Sequence, residues 1–229
     1  MPSITGGNKD GFCGTSLGAW DAIRDHAGYS VDYNNTRDDD AVSFLFFAMR
    51  GTYGLKRSFM DFDTSGVTVK PASATLRVVG YTNGDSDIIV IKSTHAQPLV
   101  VGDFDSFDTE VTDAFGNSDG NGTGTLAGVT TSGRSITYSG EVSPWDANSS
   151  SSNDIVLTDA ALDDMVDLDL LKVCLMDYDH DYLDQDNSTG SNEILESGIH
   201  WVDMGSGYEP RIDYTAAVTD NATFFGANF

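Results

Sequence analysis

The chain has few of the residues on which compact metal and redox sites depend. Its 229 residues include only two cysteines, four histidines and twelve lysines and arginines. Cys13 and Cys174 lie far apart without a Cys-x-x-Cys spacing, so they build neither a disulfide framework nor a zinc site of their own. One bridge between them and two reduced thiols both fit the sequence, and reduced thiols are favoured. No histidine pair has the spacing of a zinc-binding helix, so a zinc enzyme is not expected.

Membrane spans and export signals are also missing from the sequence. The apolar run Val42–Met49 is only long enough for a strand. Met1–Gly14 is polar and glycine-rich, without a basic start or an apolar core, so no secretory signal peptide is expected. We therefore expect a protein that does not enter a membrane, assembles inside a cell and is released by lysis.

Negative charge is present in large excess. Thirty-six acidic residues against 12 basic ones give a net charge of -24, and 31 of the acids are aspartate. Aspartate favours turns and caps whereas glutamate favours helices, so the skew indicates a loop-rich β protein. The charge repels phosphate groups, which excludes nucleic acid and anionic membranes as expected partners. It suits a protein that stays soluble in a salty medium, or one whose aspartate clusters hold calcium.

Two strand patterns flank a turn-rich connector in the segment KRSFMDFDTSGVTVKPASATLRVVGY, residues 56–81. Apolar and polar residues alternate in Ser58–Asp63 and again in Thr75–Tyr81, as in half-buried antiparallel strands. Asn83-Gly84 predicts a tight hairpin that pairs the second of these strands with Ile88–Lys92. Further strands are predicted at Val42–Met49, Ser135–Tyr138, Leu170–Met176, Gly198–Val202 and Pro210–Thr215.

Helical signals are few. The segment Leu157–Val166 is predicted to be a short helix with Thr158 as its N-cap. Nearer the amino terminus the sequence allows two alternatives equally well. Either Ser16–Asp25 is a helix, or Trp20–Arg24 is a short first strand. The sequence thus predicts one all-β domain, a jelly-roll-like antiparallel β-sandwich with long loops and at most one or two short helices. We expect an irregular N-terminal arm over residues 1–40, the sandwich over residues 41–216 and a C-terminal tail over residues 217–229.

The same segment carries a resemblance to a known family. A basic residue, an aromatic residue, Phe-Asp-x-Ser, a gap with proline and Ala-x-Leu-x-Val resemble the opening of DNRLRE-type, or disaggregatase-related, domains. The closing strand of that family resembles residues 208–214. The resemblance covers residues 40–216 and implies a jelly roll similar to carbohydrate-binding modules, of a kind found in structural proteins of tailed phages. The matching residues of the opening motif are Arg57, Phe59, Phe62, Asp63, Ser65, Ala74, Leu76 and Val78.

The densest group of acids follows the strand predicted at Leu170–Met176. If that strand continued, Asp177, Asp179 and Asp181 would point to one face. Adjacent carboxylates repel one another unless a cation or solvent lies between them, and calcium takes six to eight oxygen ligands. The sequence predicts a candidate calcium site here, with a solvated acidic loop as the simpler alternative. Its ligands would be Asp177, Asp179, Asp181, Asp184 and Asp186.

Sugar binding would require exposed aromatic rings with polar neighbours. Trp145, between Pro144 and Asp146, is the best candidate for such a platform, followed by Tyr178 and Tyr182. The alternative is that Trp145 packs over an edge of the sandwich.

The sequence favours a non-enzymatic structural protein of a virus particle, a capsid-decorating, tail or fibre component of a tailed phage. Its expected partners are other virion proteins, further copies of itself in a homo-oligomer and a host-surface glycan. The alternative is a calcium-dependent carbohydrate-binding module of a larger secreted protein.

Overall fold

The computed structural model of the protein describes residues 1–7, 10–24, 26, 28, 30–33, 41–81, 86–107, 124–148, 150–186, 192–201 and 207–217. Two α-helices occur in these residues, α1 (Trp20–Arg24) and α2 (Asp159–Asp167), with a 3-10 helix at Val101–Asp105 and a π-helical turn at Tyr178–Tyr182. The strands in the same residues are β1 (Ser3–Thr5), β2 (Gly11–Leu17), β3 (Ser30–Tyr33), β4 (Ala41–Met49), β5 (Thr52–Asp63), β6 (Ser73–Tyr81), β7 (Ile88–Lys92), β8 (Thr130–Thr131), β9 (Arg134–Ser135), β10 (Ser152–Val156), β11 (Leu170–Asp177), β12 (Glu193–Ile199) and β13 (Arg211–Thr215).

All strand pairs among the described residues are antiparallel, which confirms the predicted all-β class. One half of the main sheet has the order β1-β13-β6-β10. The other half is built on β5, which pairs with β2 along one edge and with β4 and then β11 along the other. β12 joins the halves because it pairs with β4 and with the end of β6. The two halves enclose a core, as in a β-sandwich.

Two apolar clusters lie on opposite faces of the half built on β5. Met60 and Phe62 point into the first cluster, between the two halves, whereas Phe59 points into the second. The second cluster is covered by α1, the 3-10 helix, the segment of residues 126–136 and the π-helical turn after β11, with Phe104 among its buried residues. Strand β5 is therefore buried on both faces, and the half-buried strand predicted for Ser58–Asp63 is wrong, because Phe59 and Asp61 on the second face are covered as well.

The amino-terminal segment differs from the irregular arm that the sequence predicts. β1 pairs with β13, and β2 pairs with β5 from Gly11 to Leu17. Trp20–Arg24 is a helix, so the helical alternative for this stretch is correct for those residues. The strands were missed because β2 is rich in small and turn-forming residues, and its ladder depends on a partner some forty residues away in the chain.

The predicted hairpin between β6 and β7 is wrong. β7 pairs with β11, whereas β6 pairs with β13 and β10, so the two strands lie in different halves of the sandwich. The Asn83-Gly84 turn itself lies outside the described residues. A turn signal fixes only the local direction of the chain, and pairing is decided by burial of the strand faces.

The two cysteines are buried and reduced. Cys13 pairs with Arg57 on one edge of β5, and Cys174 pairs with Phe59 on the other. With β5 between them the Cα atoms are roughly 10 Å apart, beyond the ~7 Å that a disulfide spans. Burial raises the pKa of the Cys13 thiol to about 12, so this thiol stays protonated. No helix in the described part of the chain is long and apolar enough to cross a membrane.

Candidate functional site

A buried arginine on β5 organises the loops over the second apolar cluster. The side chain of Arg57 is fully buried, and its Nε and Nη2 donate to the two carboxylate oxygens of Asp181 at 2.6 and 2.7 Å. Nη1 donates to the carbonyl of Phe104 at 2.7 Å, and the ring of Phe104 lies 4.1 Å from the guanidinium carbon. Burial is the largest single effect and lowers the pKa of Arg57, but the charge and hydrogen bonds of Asp181, with smaller contributions from Cys174 and Asp105, together outweigh it, and the net shift is upward. The guanidinium therefore stays charged, and Asp181 holds it in a bidentate geometry.

A second buried arginine extends this network. Nη1 of Arg24 lies 2.9 Å from Oδ1 of Asp184, and Nη2 donates to the carbonyls of Asp181 and Gly124 at 2.6 and 2.9 Å. Asp184 also accepts hydrogen bonds from Trp20 Nε1 at 3.0 Å and from the backbone of Gly124 at 2.6 Å. We call Arg24, Arg57, Asp181 and Asp184 the arginine clamp. It joins α1, β5, the 3-10 helix and the π-helical turn.

The clamp changes the role of two predicted metal ligands. Asp181 and Asp184 bind arginines, and Tyr178–Tyr182 is a π-helical turn and not a continued strand. The prediction that Asp177, Asp179 and Asp181 share one strand face is therefore wrong. Among the described residues, no three His, Cys, Asp or Glu side chains form a group that could hold a metal ion. Calcium binding stays a prediction.

Asp177 is the most unusual of these acids. It is buried, its Oδ1 accepts a hydrogen bond from the backbone of His180 at 2.8 Å, and its Oδ2 has no hydrogen-bond partner among the described residues. Burial, with the charges of Asp181 and Asp179, raises the pKa of Asp177 to about 7. Asp179 is half-buried and Asp186 is exposed. The run therefore divides into a buried acid, two clamp acids and two acids at the surface.

The predicted sugar platform is largely inside the protein. Trp145 is 4% exposed in the first cluster, and its Nε1 donates to the carbonyl of Gly198 at 3.3 Å. Tyr182 is also 4% exposed, with its hydroxyl 2.7 Å from Oγ1 of Thr137. The expectation of exposed rings at Trp145 and Tyr182 is wrong, because both rings fill apolar space. Tyr178 is half-buried and stacks on Tyr182 with ring centroids 5.7 Å apart.

A different concave site lies on the outer face of the β13-β6-β10 half. Here two short segments stand beside the end of β6 and leave an open groove of about 450 Å³. The sequence did not indicate it, because its arginines come from strands 134 positions apart and meet only through the register of β6 and β13. We call it the Tyr208 groove. It is lined by Arg77, Val79, Ser150, Ser151, Ser152, Gly207, Tyr208, Glu209 and Arg211.

No family model matches this chain, and no curated protein matches its sequence. The resemblance to DNRLRE-type domains therefore stays a prediction. What the structure adds is the class, an antiparallel all-β sandwich with a charged clamp inside and a polar groove outside.

Proposed function

We propose that the chain is a non-enzymatic structural protein of a virus particle, a capsid-decorating, tail or fibre component of a tailed phage. The observation that carries the proposal is the arginine clamp. It uses buried charges to hold α1, the 3-10 helix and the π-helical turn against a sheet that is buried on both faces. Such a scaffold presents a surface of fixed shape, which repeated assembly contacts require.

Two properties of the sequence support this proposal. Residues 56–81 and 208–214 resemble domains that occur in structural proteins of tailed phages. The net charge of -24 is compatible with a protein exposed to a saline medium, where salt screens the self-repulsion. Within a particle, other virion proteins and further copies of this chain would be the partners.

The location is tested with purified particles. Tryptic peptides of this chain should be recovered in a fixed ratio to the other particle proteins after density purification, and antibodies against it should decorate intact particles. Recovery from the soluble lysate alone would overturn the proposal.

Self-assembly is tested by light scattering on the full chain and on a chain that ends at Ala217. Deleting the amino-terminal residues is unsuitable, because β1 and β2 belong to the sheet. The full chain should form a homo-oligomer, and the shortened chain should have a smaller assembled mass. A full chain that stays monomeric at every concentration, with or without calcium, contradicts assembly through its own surface.

A calcium-dependent carbohydrate-binding module is the second candidate, and the stacked pair of Tyr178 and Tyr182 favours it. Tyr178 keeps part of its ring at the surface next to the half-buried Asp179. A ring beside a carboxylate can stack on a sugar and accept hydrogen bonds from its hydroxyl groups. On an oligosaccharide array, binding should disappear with a chelator and with Tyr178→Ala. Binding that survives both changes would eliminate this site.

A further inference from the structure

The Tyr208 groove has a fixed pattern of hydrogen-bond donors and acceptors. Arg77 and Arg211 face each other directly across β6 and β13, and Asp154 faces Arg77 from β10. Nη2 of Arg77 lies 2.9 Å from Asp154 Oδ2, and its Nε lies 3.1 Å from Asp213 Oδ2. Asp213 also lies 3.4 Å from Nε of Arg211. The guanidinium and carboxylate groups thus hold one another in place on the sheet surface.

Groups of both charge signs stand side by side in and beside the groove. Two guanidinium groups lie among the four carboxylates of Asp146, Asp154, Asp213 and Glu209. An anion would meet a carboxylate beside each arginine, and a cation would meet two guanidinium groups. A neutral ligand that offers both donors and acceptors fits this pattern better than an ion of either sign.

The ends of the groove add an aromatic ring and hydroxyl groups. Tyr208 is half-buried, and its ring packs against the buried His200 with centroids 4.8 Å apart. His200 in turn lies 5.4 Å from the ring of Tyr81, so Tyr208 is braced from behind. On the opposite side, the hydroxyl of Ser151 donates a hydrogen bond to Oδ2 of Asp146 at 2.5 Å. The hydroxyl of Ser152 donates to Oδ1 of Asp154 at 2.7 Å. The groove needs little reorganisation to bind, because its polar groups are already oriented.

We propose that the Tyr208 groove binds a neutral saccharide. Sugar hydroxyls both donate and accept hydrogen bonds, so they can pair with the guanidinium groups and with the carboxylates at once. The apolar face of a sugar ring can stack on Tyr208. The volume of about 450 Å³ lies in the range of small-ligand sites and fits one or two sugar units in an open groove. This site is separate from Tyr178 and does not depend on calcium.

The test titrates the ¹⁵N-labelled full chain with cellotriose, maltotriose, mannotriose and galactotriose in the presence of a chelator. At least one neutral trisaccharide should shift the amide signals of the groove, from Val79, Ser150–Ser152, Gly207–Glu209 and Arg211, and leave those near Tyr178 in place. Tyr208→Ala and Arg211→Met should each weaken that binding about tenfold or more, because each removes a stacking or hydrogen-bonding partner.

Matched control variants separate the groove from general effects. Tyr53→Ala removes another half-buried tyrosine outside the groove, and Arg134→Met removes an arginine whose side chain is 40% exposed, against 39% for Arg211. Both should bind the trisaccharide within twofold of the wild type, with unchanged far-UV circular dichroism in all four variants.

Two results would overturn the proposal. These are no shift with any of the four trisaccharides, and binding that persists in Tyr208→Ala and Arg211→Met. Failure here leaves the particle location untouched, because that is measured on purified virus.

Discussion

At the scale of single residues, Asp181 compensates the charge of the fully buried Arg57. Asp181→Ala leaves the guanidinium in the second apolar cluster without a counter-charge. Breaking a buried pair in this way costs about 3–5 kcal/mol. We expect a loss of this size in the free energy of unfolding, measured by urea denaturation.

The control for that variant is an ion pair at the surface. Asp154→Ala removes a carboxylate that is 46% exposed and pairs with Arg77, and exposed pairs contribute about 0–1 kcal/mol. The double variant Arg57→Met with Asp181→Leu should recover part of the loss, because no unpaired charge remains. If Asp181→Ala and Asp154→Ala lose the same free energy of unfolding, the arginine clamp stabilises the fold no more than a surface ion pair does.

Asp177 predicts an unusual dependence of stability on pH. Its pKa is about 7 in the folded protein and near 3.9 in an unfolded chain. Between these values the folded state keeps a proton that the unfolded state has released, so the contribution of Asp177 to stability falls as pH rises. The loss is on the order of 4 kcal/mol by pH 8.

Asp177→Asn removes this titration and keeps an oxygen acceptor for the backbone of His180. The variant should therefore gain stability relative to the wild type as pH rises from 4 to 8. Urea denaturation at several pH values measures the difference in free energy of unfolding between the variant and the wild type. The titration of other groups, such as the buried His95, cancels in this difference because both chains contain them. A difference that does not change with pH would contradict a raised pKa.

Local chemistry was readable from the sequence, and distant partners were not. Asp63 accepts hydrogen bonds from the backbone and hydroxyl of Ser65, in agreement with the turn signal, and Met60 and Phe62 are fully buried on one face, in agreement with the alternation. Asp181 meets Arg57 from 124 positions away, so a run of acids gave no sign that one of them neutralises an arginine. The acidic run therefore predicts a cation site, because the sequence does not show that two buried arginines lie beside these acids.

At the scale of elements, strands with a strong apolar pattern were found and strands made of polar residues were missed. β7 begins and ends at the predicted residues, and α2 follows Thr158 as its N-cap. β10 has the sequence SNDIV and is absent from the predicted strands, since serine, asparagine and aspartate favour turns. All five of its residues pair with β6, and this pairing gives the segment its strand conformation. The propensities of the five residues themselves do not predict a strand.

The loop before β10 makes a testable contact with β6. A Cβ atom added at Gly80 would lie 1.8 Å from the carbonyl oxygen of Asp146. That carbonyl accepts a hydrogen bond from Asn153 at 2.9 Å, and Asp146 donates its backbone N–H to Asn153 at 2.8 Å, so the loop cannot move away freely. Gly80→Ala should lower the free energy of unfolding by about 1–3 kcal/mol, as overpacking does.

Gly66→Ala is the matched control, because an added Cβ there would meet no atom within 4 Å. Its effect should stay within about 0.5 kcal/mol. If thermal or urea unfolding shows the same stability for both alanine variants, the loop is not fixed against β6.

At the scale of the whole molecule, the excess of negative charge predicts a dependence of stability on salt. A net charge of -24 destabilises the compact state through self-repulsion, and salt shortens the range of that repulsion from about 10 Å at 0.1 M to about 3 Å at 1 M. The clamp is insulated from this effect because its charges are buried and paired. Added salt should therefore relieve the surface repulsion more than it weakens the interior.

We expect the melting temperature to rise by at least about 2 °C between 0.05 and 1 M sodium chloride, which for a chain of this length corresponds to roughly 0.5–1 kcal/mol. Differential scanning calorimetry measures the rise, and potassium chloride should produce the same change because the effect depends on ionic strength. Asp181→Ala should show the same salt response from a lower starting point, since the clamp does not contribute to surface repulsion. A melting temperature that falls with salt would mean that attractive surface pairs, such as those of Arg77 and Arg134 with their aspartates, outweigh the net negative field.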